Sequence, residues 1–523
     1  MSPHTRHSLC SELPTARWPL LETVELERPF WQYFSLFVRQ PYAFLLDSAL
    51  EADSLGRYSL MGADPFLVVR VKRHPSKQFD AAATVEIVRN WPQRHREDYK
   101  VPGGEVFAYL RALMEEYRLD QRHLEDRPLP LLSGAIGYFG YEAGHFVEDL
   151  PDTGHDDLGL PDIQLMFCHH VLGHCHQSGK TYLSVVGCGD SEPSARRQAE
   201  SIRDDLLRRL RQFEVTGGPP QQRPDPRISS SDIEIKQHFD EVRYCQAVDQ
   251  IKQHIFAGDI YQACMTHRLE SPLYGDDPWA LYQELRTSNP APFASYLKCE
   301  DVDVISASPE RFLSLDIERN VESRPIKGTR RRSASPEADF ALRDELQNSA
   351  KDRAENVMIV DLVRNDFGRV CEFNSVSVPK LMTIERYATV FQLVSTIRGK
   401  LGEDVHPVDL LRACFPGGSM TGAPKIAAMK ILDQLEPVNR GIYSGTIGYL
   451  DFAGPIDLSI VIRTFVVKDG RCYYNVGGAV VADSDARAEY LETMDKARAL
   501  MQALAVRADC AHSASSESSM AES

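Results

Sequence analysis

An α+β fold is predicted by three features of the 523-residue sequence. Short apolar runs at 42–46 and 66–71 have the length of strands, while stretches at 194–213 and 240–257 have the charge and apolar spacing of helices. A segment at 215–231 is rich in Gly, Pro, Gln and Ser without periodicity and separates two such regions. These features divide the chain into a polar extension (1–17), an α+β domain (18–214), a linker (215–232), a second domain (233–507) and a Ser-, Ala- and Glu-rich tail (508–523) expected to be disordered.

The second domain opens on a helix over 240–257 that Gly258 should terminate, followed by Asp259, Ile260, Tyr261 and Gln262 in a turn or strand. A single long helix is predicted over 341–361, with Asp352 and Glu355 about 60° apart on one face and Met358, Ile359 and Leu362 on an apolar side. Another is predicted over 486–504, where Glu489, Glu492 and Lys496 share one stripe. Two acidic faces of this kind suit a magnesium ion, which takes oxygen ligands and is held by one or two carboxylates plus an anionic group of a substrate. Taken alone, each stripe equally fits a solvated helix face.

Between these helices lies Pro416-Gly417-Gly418-Ser419-Met420-Thr421-Gly422-Ala423-Pro424-Lys425. Its glycines and hydroxyls suit close approach to an anion. A nucleotide P-loop would require Lys and Ser or Thr where Ala423 and Pro424 stand, so that reading is excluded. Lys327, between Ile326 and Gly328, has the setting of a desolvated nucleophile or of a surface lysine. The run Val476-Gly477-Gly478-Ala479-Val480 reads as a strand that a ligand or another backbone can approach closely.

The bulk properties exclude several function classes. With 59 basic and 75 acidic residues, the net charge of −16 disfavours nucleic acid and anionic membranes as partners. No apolar stretch nears the ~20 residues of a membrane span, residues 1–17 lack the apolar core of a signal peptide, and eleven scattered cysteines form no CxxC pair. A cytoplasmic location is the expectation. Cys168, His169, His170, His174, Cys175 and His176 match no zinc spacing and are read as two strands; Trp31, Tyr33, Phe34 and Phe37 are read as core.

In order along the chain, GDIYQ at Gly258, SPERF at Ser308, PIKGT at Pro325, KDRAENVMIVDLVRND at Lys351, PGGSMTGAPK at Pro416, IRT at Ile462 and ExxExxxK at Glu489 resemble the chorismate-binding domain shared by anthranilate, aminodeoxychorismate, isochorismate and salicylate synthases. The resemblance spans about 233–505 and extends more weakly into the N-terminal domain. It implies a two-layer α/β sandwich with largely antiparallel sheets and helices packed outside. PIKGT, with lysine where anthranilate synthases carry alanine, resembles the large, aminating subunit of aminodeoxychorismate synthases. The resemblance implies that Lys327 adds to C2 of chorismate and that ammonia from a glutamine amidotransferase subunit then enters at C4.

It further implies that Glu355 and Glu492 bind Mg2+, with Asp352 and Glu489 on the ion's waters. Arg463, Tyr443, Gly478, Ala479 and Lys496 would bind substrate, while Glu310 would serve as general acid and Ser419 would contact the leaving hydroxyl. Two positions depart from the pattern. Gln392 replaces a histidine and cannot shuttle a proton, and Ala479 replaces a glycine, adding a methyl group that either narrows the pocket or excludes a positive φ. Leu46, Asp47 and Ser48, with Pro290 and Phe293, resemble the walls of a tryptophan site. The competing readings are an anthranilate synthase large subunit and a non-catalytic relative that binds tryptophan or a nucleotide.

Overall fold

The computed structural model describes residues 16–50, 55–74, 81–89, 95–119, 127–217, 233–387 and 390–521, with side chains as far as Ala508. Most of the expected extension and linker, 1–15 and 218–232, lies outside the described residues. The described helices are α1 (Val106–Glu116), α2 (Glu192–Thr216), α3 (Glu241–Ala257), α4 (Pro278–Ser288), α5 (Pro336–Asn348), α6 (Ala350–Gly368), α7 (Pro407–Cys414), α8 (Lys425–Leu435) and α9 (Ala486–Ala521).

Local chemistry sets their ends. The Asp240 side chain accepts from the Arg243 amide at the start of α3, and Gly258 closes that helix in the left-handed region at φ 84°. The single helix expected at 341–361 is two helices. Ser349 is extended and its hydroxyl accepts from the Asp352 amide, so it caps α6 and breaks the chain after Asn348. α9 also runs past its expected end at 504, with Ala505, Val506 and Ala508 still buried; the side chains of the tail beyond Ala508 lie outside the described residues.

The strands form two large sheets in which every ladder is antiparallel. The first runs in the order Ala16–Val24, Lys180–Gly189, His170–Cys175, Tyr58–Ala63, Tyr42–Asp47, Phe293–Cys299, Val302–Ser308, Thr464–Lys468, Arg471–Val480, Gln262–Pro272 and Lys236–Gln237. The second runs Ile326–Arg331, Val390–Lys400, Asn320–Ser323, Arg311–Leu315, Ile456–Ile460, Thr446–Asp451, Gly134–Phe139, Ile163–Cys168, Leu67–Lys72, Ala82–Arg89 and His95–Pro102. Gly422–Ala423 and Ser377–Arg386 pair off these paths. The Cys/His segment is the two strands expected of it, Ile163–Cys168 and His170–Cys175.

The boundary drawn at 215–232 divides the sequence and not the sheets. Tyr42–Asp47 pairs with Phe293–Cys299 in the first sheet, and Gly134–Phe139 pairs with Thr446–Asp451 in the second. Side-chain alternation explains how the first sheet is covered on both faces. Phe44, Leu297, Val304 and Val466 join the core shared with Ile136, Phe167 and Leu458 of the second sheet. Their neighbours Ala43, Leu45, Tyr296, Ile305, Phe465 and Val467 point the other way, into a core completed by Leu206 of α2, Leu285 of α4 and Leu500 of α9. The sandwich with helices outside is therefore present.

Some positions in the second sheet have no room for a side chain. A Cβ on Gly137 would stand 2.0 Å from the Gln164 carbonyl oxygen, which belongs to the neighbouring strand and cannot swing aside. Gly137→Ala is expected to lower stability by up to about 3 kcal/mol, read as a lower midpoint of thermal unfolding.

Candidate active site

The chain passes between the sheets at two points, and a predicted site residue sits at each. Glu310 follows the first-sheet strand Val302–Ser308 and precedes the second-sheet strand Arg311–Leu315. Arg463 lies between Ile456–Ile460 and Thr464–Lys468, with φ 52°, a strained conformation for a non-glycine residue. The two crossings are tied together. Ser308 Oγ donates to the Ile460 carbonyl at 2.6 Å, the Ile460 amide donates to the Glu310 carbonyl at 3.0 Å, and the Ala307 amide donates to the Arg463 carbonyl at 3.1 Å.

Around these crossings the structure gathers most of the predicted catalytic set. The Glu310 carboxyl is buried, and this pushes its pKa up to about 7 against the opposing pull of the Ser419 hydroxyl, Lys327, the Ile326 amide and Arg463. It is therefore substantially protonated near neutrality, as a general acid requires. Ser419 lies in the short 3-10 turn Gly418–Met420, and Lys327 Nζ reaches its carbonyl oxygen at 3.5 Å. Arg463 carries a guanidinium with no hydrogen bond or ion pair among the described residues. Burial lowers its pKa, and Glu310 is the carboxylate that most opposes this.

Behind Lys327 stand the four carboxylates proposed for a metal, each beside one cation. Glu355 of α6 is 3.9 Å from Lys327, and Asp352 is 3.1 Å from Arg330. Glu489 of α9 is 3.0 Å from Lys351, and Glu492 is 2.9 Å from Lys496. Lys496 also donates to the Gly477 carbonyl at 2.9 Å, which ties α9 to the glycine-bearing strand. Burial raises the Glu355 pKa. Burial pushes that of Glu492 up as well, but Lys496, Lys351 and Lys327 together hold it below the usual value.

Among the described residues no three His, Cys, Asp or Glu side chains are arranged to hold a metal ion as they stand; each of the four acids stands beside a cation instead. The donor set nonetheless fits magnesium. It is all oxygen, and it includes Glu489 Oε2, a buried atom with no hydrogen-bond partner beside the bare Cα of Gly478.

This arrangement agrees with what the comparisons find. A model of the chorismate binding enzyme family matches residues 74–502. The chain belongs to the chorismate binding enzyme family.

Its relatives within that family divide by product. It is 40% identical over 471 residues to an aminodeoxychorismate synthase of Streptomyces griseus, covering 90% of this chain but 62% of that protein, so it spans less than two thirds of that relative's length. It is 35% identical over 472 residues to aminodeoxychorismate synthase component 1 of Salmonella typhimurium, covering 90% of this chain and 95% of that one. Among solved structures, anthranilate synthase component I from Streptococcus pneumoniae superposes with a TM-score of 0.70 at 28% identity, covering 86% of this chain and 93% of the other.

In this chorismate binding enzyme the remaining predicted residues fall in three places. Gly478 and Ala479 pair with Met265 and Cys264 in an ordinary extended strand. Ala479 does not have a positive φ, so its methyl group imposes no backbone strain. Tyr443 is buried close to Cys264 and Arg440, and burial raises its pKa. Gln392 is buried in Val390–Lys400 opposite Thr329, two residues along the strand from Lys327.

The tryptophan-like residues lie apart from this constellation, at a cavity of about 970 Å3 between the sheets. Leu46, Asp47, Ser48 and Phe293 line it. Pro290 is exposed and does not; the wall residue is Pro292, because the turn before Phe293 buries the second proline of the pair. Both Asp47 oxygens are already engaged, by Ser59 at 3.0 Å and by Tyr282 and Arg286 at 2.9 and 2.5 Å. No described helix is long and apolar enough to cross a membrane.

Two residues at the site were quoted in motifs without being given roles. Lys351 proves to be the partner of Glu489, and Gln262 Oε1 is a buried acceptor with no partner among the described residues, next to the Gly422–Ala423 end of the glycine loop. Their motif positions were visible, but nothing in the sequence says which member of a motif lacks a partner.

Proposed function

We propose that this protein aminates chorismate at C4, with ammonia from a glutamine-hydrolysing partner, to give 4-amino-4-deoxychorismate, a precursor of para-aminobenzoate and folate. The observation that carries the reading is Lys327 set between Glu355 and the Ser419 turn, with the protonatable Glu310 and the unpaired Arg463 close by. The Lys327 ammonium first gives up a proton to solvent, its amine adds to C2, the ring double bonds shift, and the C4–O bond breaks as Glu310 protonates the departing hydroxyl to water. Ammonia then bonds to C4 as the C2–Nζ bond breaks, and its surplus proton returns to Glu310. Each displacement is easier than a direct one.

Arg463 binds the pyruvyl carboxylate, a role open to it because it has no partner among the described residues. Glu355 and Glu492 would hold magnesium, with Asp352 and Glu489 on its waters, and the ion would supply positive charge for the ring carboxylate. Replacing Arg463 by alanine should raise KM for chorismate at least roughly tenfold while changing kcat less, as loss of a charge-assisted contact to bound substrate does. Steady-state kinetics at saturating ammonium checks this.

The competing reading is amination at C2 to give anthranilate, which the alanine of PIAGT would favour and Lys327 does not. Tryptophan in the cavity beside Asp47 is a further proposal, in which Asp47 braces the wall while the apolar lining takes the ring. Product identification by chromatography and mass spectrometry, with chorismate, magnesium and ammonium, decides the reaction. Aminodeoxychorismate without anthranilate supports the proposal; anthranilate with pyruvate overturns it.

A further inference from the structure

We propose that Lys351 is a stand-in cation, whose ammonium occupies the acidic cluster when metal is absent and must leave for metal to bind. The inference rests on the magnesium reading above. Lys351 Nζ is 3.0 Å from Glu489 Oε1, and Glu355 and Glu492 are near enough for their charges to act on its ammonium. It thus stands among three of the four carboxylates assigned to the ion.

Two further observations favour displacement over a structural role. Arg330 is also bonded to Glu345, Lys327 to the Ser419 carbonyl and Lys496 to the Gly477 carbonyl, but Lys351 has no hydrogen bond among the described residues besides that to Glu489. Its side chain is 48% exposed, so its stem can swing into solvent without opening the fold. Lys351 is also the second residue of α6, where the positive end of the helix disfavours a cation, so its placement does not serve the helix.

Without an ion, Glu355, Glu489 and Glu492 repel one another, and the ammonium offsets that repulsion. A divalent ion competes with it for the same oxygens, so Lys351 weakens metal binding and keeps the empty site from being pushed apart. Glu489 contributes a second anchor that stays in place when Lys351 leaves, since Ser484 Oγ donates to its Oε1 at 2.6 Å.

The test is Mn2+ titration of the full chain without chorismate, following free Mn2+ by electron paramagnetic resonance. Lys351→Met should bind Mn2+ roughly five- to tenfold more tightly than wild type, and Lys351→Arg about equally to it. In EDTA, Lys351→Met should unfold at a lower temperature than wild type, and excess Mg2+ should close the gap. Unchanged or weaker Mn2+ binding by Lys351→Met, with wild type binding saturably, overturns the inference and leaves the metal reading standing. Absence of saturable binding by wild type overturns both.

Discussion

Glu310→Gln should lower kcat by at least about a hundredfold at pH 7 while making the protein more stable in alkaline solution. The first effect follows from the loss of the proton that the departing hydroxyl requires, and general acids contribute about 10²–10⁴. The second follows from burial. An ordinary glutamate ionises near 4.5, whereas Glu310 holds its proton to about 7. Below pH 4.5 the residue is neutral in both folded and unfolded chains. As pH rises from 4.5 through 7 the unfolded chain ionises first, so the stability lent by the neutral buried form is lost, a change of about 3 kcal/mol for a shift of this size.

Glutamine carries no such charge. Its stabilising effect should therefore be absent at pH 4, grow through that window and level off above pH 7. In wild type, kcat at constant free ammonia should fall above about pH 7 as Glu310 ionises. Lys327, Ser419 and Arg463 all favour the ionised form, so replacing any of them moves that limb upward. Near-wild-type turnover by Glu310→Gln would remove it from the chemistry.

Lys327→Ala should cut aminodeoxychorismate formation by roughly 10³-fold or more, the scale on which enzymes lose a covalent nucleophile. Alanine also deletes the cation nearest Glu355, so a second substitution is needed to separate the two effects. Lys327→Arg keeps the charge and lacks a usable nucleophile. If the amine forms a bond to C2, both variants fail and wild type yields a chorismate-derived mass adduct on Lys327 when ammonia is withheld. If Lys327 only balances charge, the arginine variant retains most of its turnover.

Much of this site was readable before any coordinates, because it is built from short segments whose residue types are chemically unusual together. Glu310, Lys327, Ser419 and Arg463 each sit in such a segment, and the fold brings them to one place. What could not be read was pairing. Nothing local says that Tyr42–Asp47 lies against Phe293–Cys299, since their register depends on chain segments some 250 residues apart. The split between α5 and α6 was missed because an amphipathic pattern continues across Ser349, whose hydroxyl acts as a cap only in the folded geometry. Pro290 was chosen over Pro292 because a Pro-Ala-Pro run carries no mark of which ring faces inward.

The ladders that join Tyr42–Asp47 to Phe293–Cys299 and Gly134–Phe139 to Thr446–Asp451 have a mechanical consequence. Halves stitched in this way in both layers cannot swing apart like the lobes of a hinged enzyme, and cutting the chain between 217 and 233 would release neither piece. Changes of shape must then fall to side chains such as Lys351 on α6 and Lys496 on α9, both about half exposed, which can turn aside while the layers beneath them stay still.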